Sequence, residues 1–480
     1  MDKQSTFGRI RSRLFPIHKN EFSKLIPLTI LSLLISFSSF TLRSLKDIYL
    51  LKYINAEVIY YIKVFGVIPG IILLTILYSS LSKFTHRDTR FNIVIGYFLV
   101  FFGLFYFVFI PHLALLKLNN WADALHHRFP AMHHLWEALR FWPFTLFYIH
   151  AEAWFALAQG VLFWTFVNEI TSLEQAKRLY GFLPLGFSIA FLLEGLLLRR
   201  FKKEIGLILG LNIGVMAAIL IVYNGLAHYI KKHPALWSVA QKPTKKPKRL
   251  SLTASFKFLA KSEYLALITS IVISYGVVTS LFEALWKAKV KEWAAADTSL
   301  LVEVYSIQAI FGGLLALFLA LFVSAPVMNR GFRFAASVAP LAALVATSIF
   351  FTGLYFQDIL SGFHSNALAM VVKLGVISLT FIKIARYILF DPSKERAYIP
   401  LDEELKVRGK AAVDGVGARL GKSLGSLMLT TLLLPVLGSI EQAKHVIFLI
   451  ILITIGLWLR AVRRLSVLFD ERTQEEAEQR

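Results

Sequence analysis

An all-α polytopic membrane protein of about twelve transmembrane helices, in two six-helix halves, is the fold class that three observations predict. First, the 480-residue chain is 56% hydrophobic and only 17% charged. Its charges are bunched between apolar runs, whereas a soluble protein needs charge on the turns of its surface helices. Second, uninterrupted apolar stretches of about 18 residues or more recur along the whole length, which is long enough to cross a bilayer as helix. Third, basic residues gather in alternate loops. Strands are excluded because the runs are continuous rather than alternating, and their glycines and prolines are tolerated in membrane helices.

The runs place spans at roughly 25–46, 59–82, 92–114, 143–167, 181–198, 204–229, 263–286, 303–327, 332–355, 367–390, 413–437 and 445–466. The tail 1–24 is basic, with no short apolar core and no small-residue cleavage site, so the first span is expected to act as its own insertion signal. A bundle over 25–229 is followed by a basic, proline-containing linker over 230–262, a second bundle over 263–466 and a tail over 467–480. The even-numbered loops and both tails carry about 32 Lys and Arg against about 12 in the odd-numbered loops, which puts both termini and the linker in the cytoplasm. Two outer segments run against that rule: Arg199 to Lys203, and Lys287 to Lys291. Either the rule is noisy there or those charges serve an anion.

The net charge of +22 does not indicate a nucleic-acid partner, because much of the excess flanks apolar spans and sets orientation. Cysteine is absent, which excludes disulfides, thiolate metal sites and cysteine nucleophiles. The informative residues are ionisable groups inside the spans, where each costs about 2.5–3.5 kcal/mol at the bilayer centre. They are Lys46, Glu152, Glu194, Glu283, Lys373, Lys383, Arg386, Arg419 and Lys422. Cations outnumber anions, and a surplus of buried positive charge implies a visiting anion. Lys46, Glu283 and Arg386 lie near span ends and are as readily explained by reaching to the interface. Glu194 is one turn from Arg199 and Arg200, which makes a local pair the simpler reading. Glu152 has only Arg140 as a poor candidate partner.

Lys422 follows Arg419 by one helical turn among Gly415, Gly417, Gly421 and Gly425. The run Gly417 to Ser423 is one residue short of a phosphate-binding loop and has no preceding strand. Its Lys and Ser can still meet phosphate oxygens, and helix packing is the competing account of its small residues. His126, His127, His133 and His134 have poor spacing and few nearby carboxylates, so no metal site is expected. No nucleophile–base–orienter set occurs and no cofactor is implied. The chain reads as a carrier rather than an enzyme.

The halves carry a faint repeat at an offset of about 235 residues, in which Arg43, Lys46 and Asp47 of span one correspond to Glu283 and Lys287 of span seven. Parallel repeats of six helices are the pattern of the major facilitator fold. Longer runs then resemble one family, the bacterial and plastid ATP/ADP translocases. They are FDPSKERAYIPLDEELKVRGKAAVDGVGARLGKSLGS over Phe390 to Ser426, TLRSLKD over Thr41 to Asp47, and AEVIYYIKVFGVIP over Ala56 to Pro69. LFWTFVNEITSLEQAKRLYG over Leu162 to Gly181 and LFEALWKAKVKEW over Leu281 to Trp293 extend the resemblance to nearly the whole chain.

The resemblance implies a twelve-helix carrier of bulky nucleotides in a cell inner membrane, most simply an antiporter that imports ATP in exchange for ADP. It implies charged residues needed for transport at Lys46, Glu152, Glu283 and Lys422, with Arg419 and Asp47 as weaker additions. Lys383 joins them from the list of embedded charges. ATP, ADP, other nucleoside triphosphates or phosphate are the expected small-molecule partners beside the lipid bilayer, and a monomer is compatible with this reading. The family also contains proton-driven nucleotide importers and carriers of NAD. The run Ala151 to Ala156 departs from the exchangers' pattern, as does Leu185 to Ala190, which leaves those alternatives open. A lipid-handling or non-transporting membrane protein is the rival from another class; it should show long lateral apolar grooves and few midplane cations.

Overall fold

The computed structural model describes residues 22–171, 175, 183–233, 262–295, 297–357, 359, 366–401, 409–410, 413 and 418–478, and these residues form helices throughout. Ten helices are long and apolar enough to cross a membrane. They are α1 (Phe22–Tyr53), α2 (Ala56–Leu81), α3 (Arg87–Phe109), α4 (Trp142–Ile170), α6 (Ile205–Lys232), α7 (Glu263–Ala294), α8 (Thr298–Asn329), α9 (Phe332–Tyr355), α10 (Ala367–Ala397) and α12 (Lys444–Glu478). Two further helical segments take the places of predicted spans five and eleven: α5 (Leu183–Arg200), and α11, which begins as Ala418–Leu427 and runs on through Met428–Leu433 and Leu434–Leu437. The expected polytopic helical architecture is what forms.

Several helices outrun their predicted bounds, and two overruns change the reading of charge. Helix α1 continues to Tyr53 and α7 to Ala294, so Lys46 and Lys287 lie inside helices rather than at their ends. Apolar patterning stops at the first charge, but a helix continues wherever that charge finds a partner. Starts are set by side-chain caps. Asn55 accepts a hydrogen bond from the Val58 amide at 3.0 Å to begin α2, and Asp297 accepts one from the Ser299 amide at 2.7 Å to begin α8. Gly331, at φ +95°, turns the chain between α8 and α9, and Gly438, at φ +80°, ends α11.

Among the described residues wide π-helical turns interrupt six segments, and three lie beside embedded charges. Ile62–Val67 contains Lys63, Phe155–Phe163 follows Glu152 and Arg386–Phe390 follows Lys383, while Met428–Leu433 follows the glycine-rich start of α11. Such turns leave the regular backbone ladder and re-aim side chains, which is why they collect near functional groups.

The first six helices meet the last six along a tight crossing of α5 with α8. A Cβ on Gly195 would lie 2.7 Å from the Ile310 amide nitrogen and 2.9 Å from the Ser306 carbonyl oxygen. Gly312 abuts Phe191 and Gly313 abuts Leu192, so the two backbones interlock. Helix α11 lies against α7 in the same manner: a Cβ on Gly421 would sit 2.9 Å from the Ile273 backbone, and one on Gly425 would sit 2.6 Å from Ser280. These two glycines of the motif serve helix packing.

Polar contacts differ between the two membrane faces. On the face where α1 and α7 begin, they tie each six-helix set to itself. Lys24 donates to the Ile170 carbonyl at 2.9 Å, Asp88 meets Lys231 at 2.7 Å, and Arg464 meets Glu263 at 2.8 Å. On the opposite face, here called the far face, contacts run between the sets. Lys291 donates to the Leu51 carbonyl, the Ile440 amide donates to Glu57 at 3.4 Å, Tyr61 donates to the Thr430 carbonyl at 3.4 Å, and Lys202 pairs with Glu303 at 2.9 Å. The last pair and the burial of Lys287 account for both outer segments that ran against the charge rule.

Candidate functional site

Seven charged side chains from five helices meet where the two six-helix sets face one another. Helix α1 supplies Lys46 and Asp47. The Lys46 ammonium stands 3.1 Å from Asp47 Oδ1 and 3.1 Å from Glu152 Oε1 on α4. Asp47 Oδ2 reaches Lys287 of α7 at 2.8 Å. Lys287 also lies 3.3 Å from Glu283 Oε1, one turn earlier on the same helix. Glu283 is approached by Lys383 of α10 at 3.2 Å and by Lys63 of α2 at 3.6 Å. Four lysines share three carboxylates, and the chain of contacts is continuous from α4 through α1 and α7 to α10.

The network is layered by depth. The side chains of Lys46 and Lys287 are 4% and 1% exposed, and Asp47 is buried with them. Glu152, Glu283 and Lys63 are partly exposed, and Lys383 is 37% exposed. Glu283 receives Lys63 from one helix set and Lys383 from the other, so the solvent that reaches it lies between the sets. Burial of Lys46 removes the option of reaching to the interface. Burial is sustained because Asp47 has two cations, Glu283 three, and each deep cation two anionic contacts, the condition under which buried ions are retained.

Aromatic rings floor the deep layer. The Lys46 ammonium lies 3.8 Å from the centre of the Tyr148 ring, and the Lys63 ammonium 4.7 Å from that of Tyr60. Both arrangements hold a cation against a ring face while leaving it free to turn to an anion. Arg43, one turn before Lys46, stacks 4.3 Å from the centre of the Phe155 ring in the π turn of α4.

The two halves repeat this design with charges exchanged. Lys46 on α1 pairs with Glu152 on α4, whereas Glu283 on α7 pairs with Lys383 on α10. In α4 and α10 alike, a π turn begins three residues after the paired side chain. That correspondence gives physical content to the faint sequence repeat.

Five of the seven sequence candidates, Lys46, Asp47, Glu152, Glu283 and Lys383, are brought into one network. The side chains of Arg419 and Lys422 lie outside the described residues. Sequence reasoning missed two members. Lys63 lay unremarked inside predicted span two, although a lone lysine in an apolar run was the available signal. Lys287 was assigned to an outer loop, yet it is the most deeply buried cation of the network. Glu194 does not pair with Arg199 or Arg200. It is fully buried on α5 and accepts a hydrogen bond from Ser44 of α1 at 2.6 Å, because α5 packs along α1 and turns that face inward. Arg140 serves Glu137 and Asp123 instead of Glu152. Arg386 lies 3.5 Å from Asp391 and 4.5 Å from the centre of the Tyr275 ring, and Lys373 is exposed. Among the described residues no group of three His, Asp or Glu is placed to hold a metal ion.

Known proteins sort the chain in the same direction. The family model described as TLC ATP/ADP transporter matches residues 1–469. The chain is 32% identical to ADP,ATP carrier protein 1 of Chlamydia muridarum, with 97% of this chain and 92% of that protein covered. It is 30% identical to ADP,ATP carrier protein 1 of Rickettsia prowazekii, with 96% of each covered. Among solved structures, the nucleoside transporter NupG superposes with a TM-score of 0.60 at 13% identity over 92% of this chain and 99% of that one. A bacterial homologue of the iron transporter ferroportin gives 0.55 at 14% identity, covering 95% of this chain and 99% of that one. At such identities these two show the fold alone, a transporter fold of the major facilitator type. With the family match spanning nearly the whole chain, this multi-pass membrane protein belongs to the TLC ATP/ADP transporter family.

Proposed function

We propose that the chain exchanges ATP for ADP across a cell inner membrane, with both termini cytoplasmic, by alternating access between bundles 25–229 and 263–466. The carrying observation is the pairing of Lys46 with Glu152 in the first bundle and of Lys383 with Glu283 in the second, at 3.1 and 3.2 Å, where the two bundles face one another. Each lysine is held by a carboxylate. A phosphate chain competes for these ammonium groups with more charge and more oxygens than a carboxylate offers. Lys46 engages it from the first bundle and Lys383 from the second. Glu152 and Glu283 are then released to neighbouring cations, while Lys46 stays beside Asp47, its neighbour at 3.1 Å. Lys422 and Arg419 of α11 join the phosphate-binding set on the strength of the family resemblance.

ATP carries about four negative charges and ADP about three, so a cationic seam lowers the cost of drawing either from water. One-for-one exchange then moves net charge unless phosphate travels with ADP. The α5–α8 crossing, where glycine permits backbone contact, is the axis about which the bundles rock, and the near face is the open one.

Uptake of labelled ATP by cells expressing the chain, competed by a panel of unlabelled nucleotides, tests this reading. ATP and ADP should compete most strongly. Absence of uptake of any nucleotide overturns the carrier assignment. Uptake abolished by an uncoupler and indifferent to internal ADP replaces exchange with proton-driven import.

A further inference from the structure

We infer that Lys287 is the residue that makes exchange obligatory, by closing the far face of the empty carrier. This inference rests on the alternating-access reading. Its ammonium bridges the bundles directly, 2.8 Å from Asp47 of α1 and 3.3 Å from Glu283 of its own helix, at 1% exposure. Around it, Tyr60 of α2, Tyr148 of α4 and Tyr305 of α8 are buried with hydroxyls that have no hydrogen-bond partner among the described residues. The latch is therefore set among neutral phenols, which can accept a hydrogen bond from a lysine deprived of its carboxylate but cannot neutralise it.

Opening the far face separates α1 from α7. Asp47 then keeps Lys46, its neighbour at 3.1 Å. Lys63 leaves Glu283 with its own bundle and keeps the Tyr60 ring. Lys287 loses Asp47 and must share Glu283 with Lys383, two ammonium groups on one carboxylate. A buried cation left without its anion is the costly outcome. Glu194, Arg386 and Asp391 keep partners within their own bundles, whereas Arg43 of α1 meets Tyr387 of α10 across the seam and is a second, weaker tie between the bundles. A bound polyanion alters the cost of opening: by taking Lys383 it leaves Glu283 wholly to Lys287. The empty carrier thus stays shut and the loaded one opens.

The absence of cysteine in the chain gives a clean labelling background. A reporter Tyr61→Cys, at the far-face seam beside Thr430, reads opening through its reaction with a membrane-impermeant maleimide. Proteoliposomes loaded with labelled ADP read coupling through efflux into nucleotide-free buffer. In Lys287→Gln, labelling without nucleotide and uncoupled efflux should both rise by about tenfold or more, within what loss of one member of a buried charge pair produces. Lys287→Arg should remain shut and coupled.

The double variant Asp47→Asn/Lys287→Gln separates a latch from a merely structural ion pair. It should stay leaky, whereas restoration of coupling by removing both charges together overturns the inference. Strict dependence of Lys287→Gln on external nucleotide overturns it as well. Should that variant fail to accumulate, Asp47→Asn must show the same leak, and a tightly coupled Asp47→Asn sinks the idea. If the unmodified chain moves no nucleotide at all, the carrier reading fails, while an unchanged labelling rate in Lys287→Gln fails the latch alone.

Discussion

Two ion pairs occupy corresponding places in the two halves of this molecule, and they are not alike. Lys46–Glu152 puts its cation on the first helix of its half, deep in the seam. Glu283–Lys383 puts its cation on the fourth helix of its half, where solvent reaches it. On the proposed function, a substrate reaching the seam would meet Lys383, 37% exposed, while still partly hydrated and Lys46, 4% exposed, only after losing most of its water. The repeat is thus asymmetric in depth, and on the proposed function one lysine would collect the anion and the other would hold it when solvent is excluded.

The largest effect should come from the deep pair. Lys46→Ala removes the buried cation and leaves Asp47 and Glu152 with fewer partners, and exchange in proteoliposomes should fall by about a hundredfold at unchanged protein level. A rate close to that of the unmodified chain would remove Lys46 from the mechanism. Lys383→Ala sharpens the comparison. It should raise KM by about tenfold while the maximal rate stays within about threefold, and by leaving Glu283 wholly to Lys287 it should also let the empty carrier leak. Equal collapse of both parameters would place Lys383 in the deep layer's role.

A third test asks what keeps the two pairs in register. Gly195→Ala puts a methyl group into the Ile310 and Ser306 backbones at the α5–α8 crossing and should cost about 2 kcal/mol, read as a lower unfolding temperature in detergent. Gly214→Ala, where nothing lies within 4 Å of the added Cβ, is the neutral control.

The smallest effect concerns the far-face outer segment. His134 packs against Tyr61, with ring centres 5.5 Å apart, and burial holds its imidazole down to about 4. Its contribution to stability is fully present above the unfolded value of about 6.5 and is lost as pH falls toward 4, because only the unfolded chain takes up the proton. His134→Leu should flatten the loss of thermal stability between pH 7 and 4 by about 2 kcal/mol. An unchanged slope would show that His134 does not carry it.

The span pattern and the core of the charged network were legible in the sequence because buried ionisable residues stand out against apolar runs. Glu152 stood out on that ground, whereas Lys46 and Glu283, equally explained by reaching to the interface, were singled out by the family resemblance. The partners were not legible, since they arise from helices far apart in the chain. Glu194 was assigned to arginines one turn away, yet it meets Ser44 because α5 packs along α1. Lys287 was lost for a related reason: apolar patterning ended span seven just before it, while its carboxylate partners allow the helix to run to Ala294. Lys63 sat in plain view and lacked only a second charge nearby in sequence to mark it. The π turns that re-aim α4 and α10 leave no periodicity to read.

The central claim is that this cationic seam moves ATP against ADP one for one. Purified chain in proteoliposomes, with labelled ATP outside and ADP either present or absent inside, tests it most directly. Exchange predicts uptake that rises steeply with internal ADP, stays near background in empty vesicles and is slowed by the Lys46→Ala substitution. Equal uptake into empty and ADP-loaded vesicles would contradict the account.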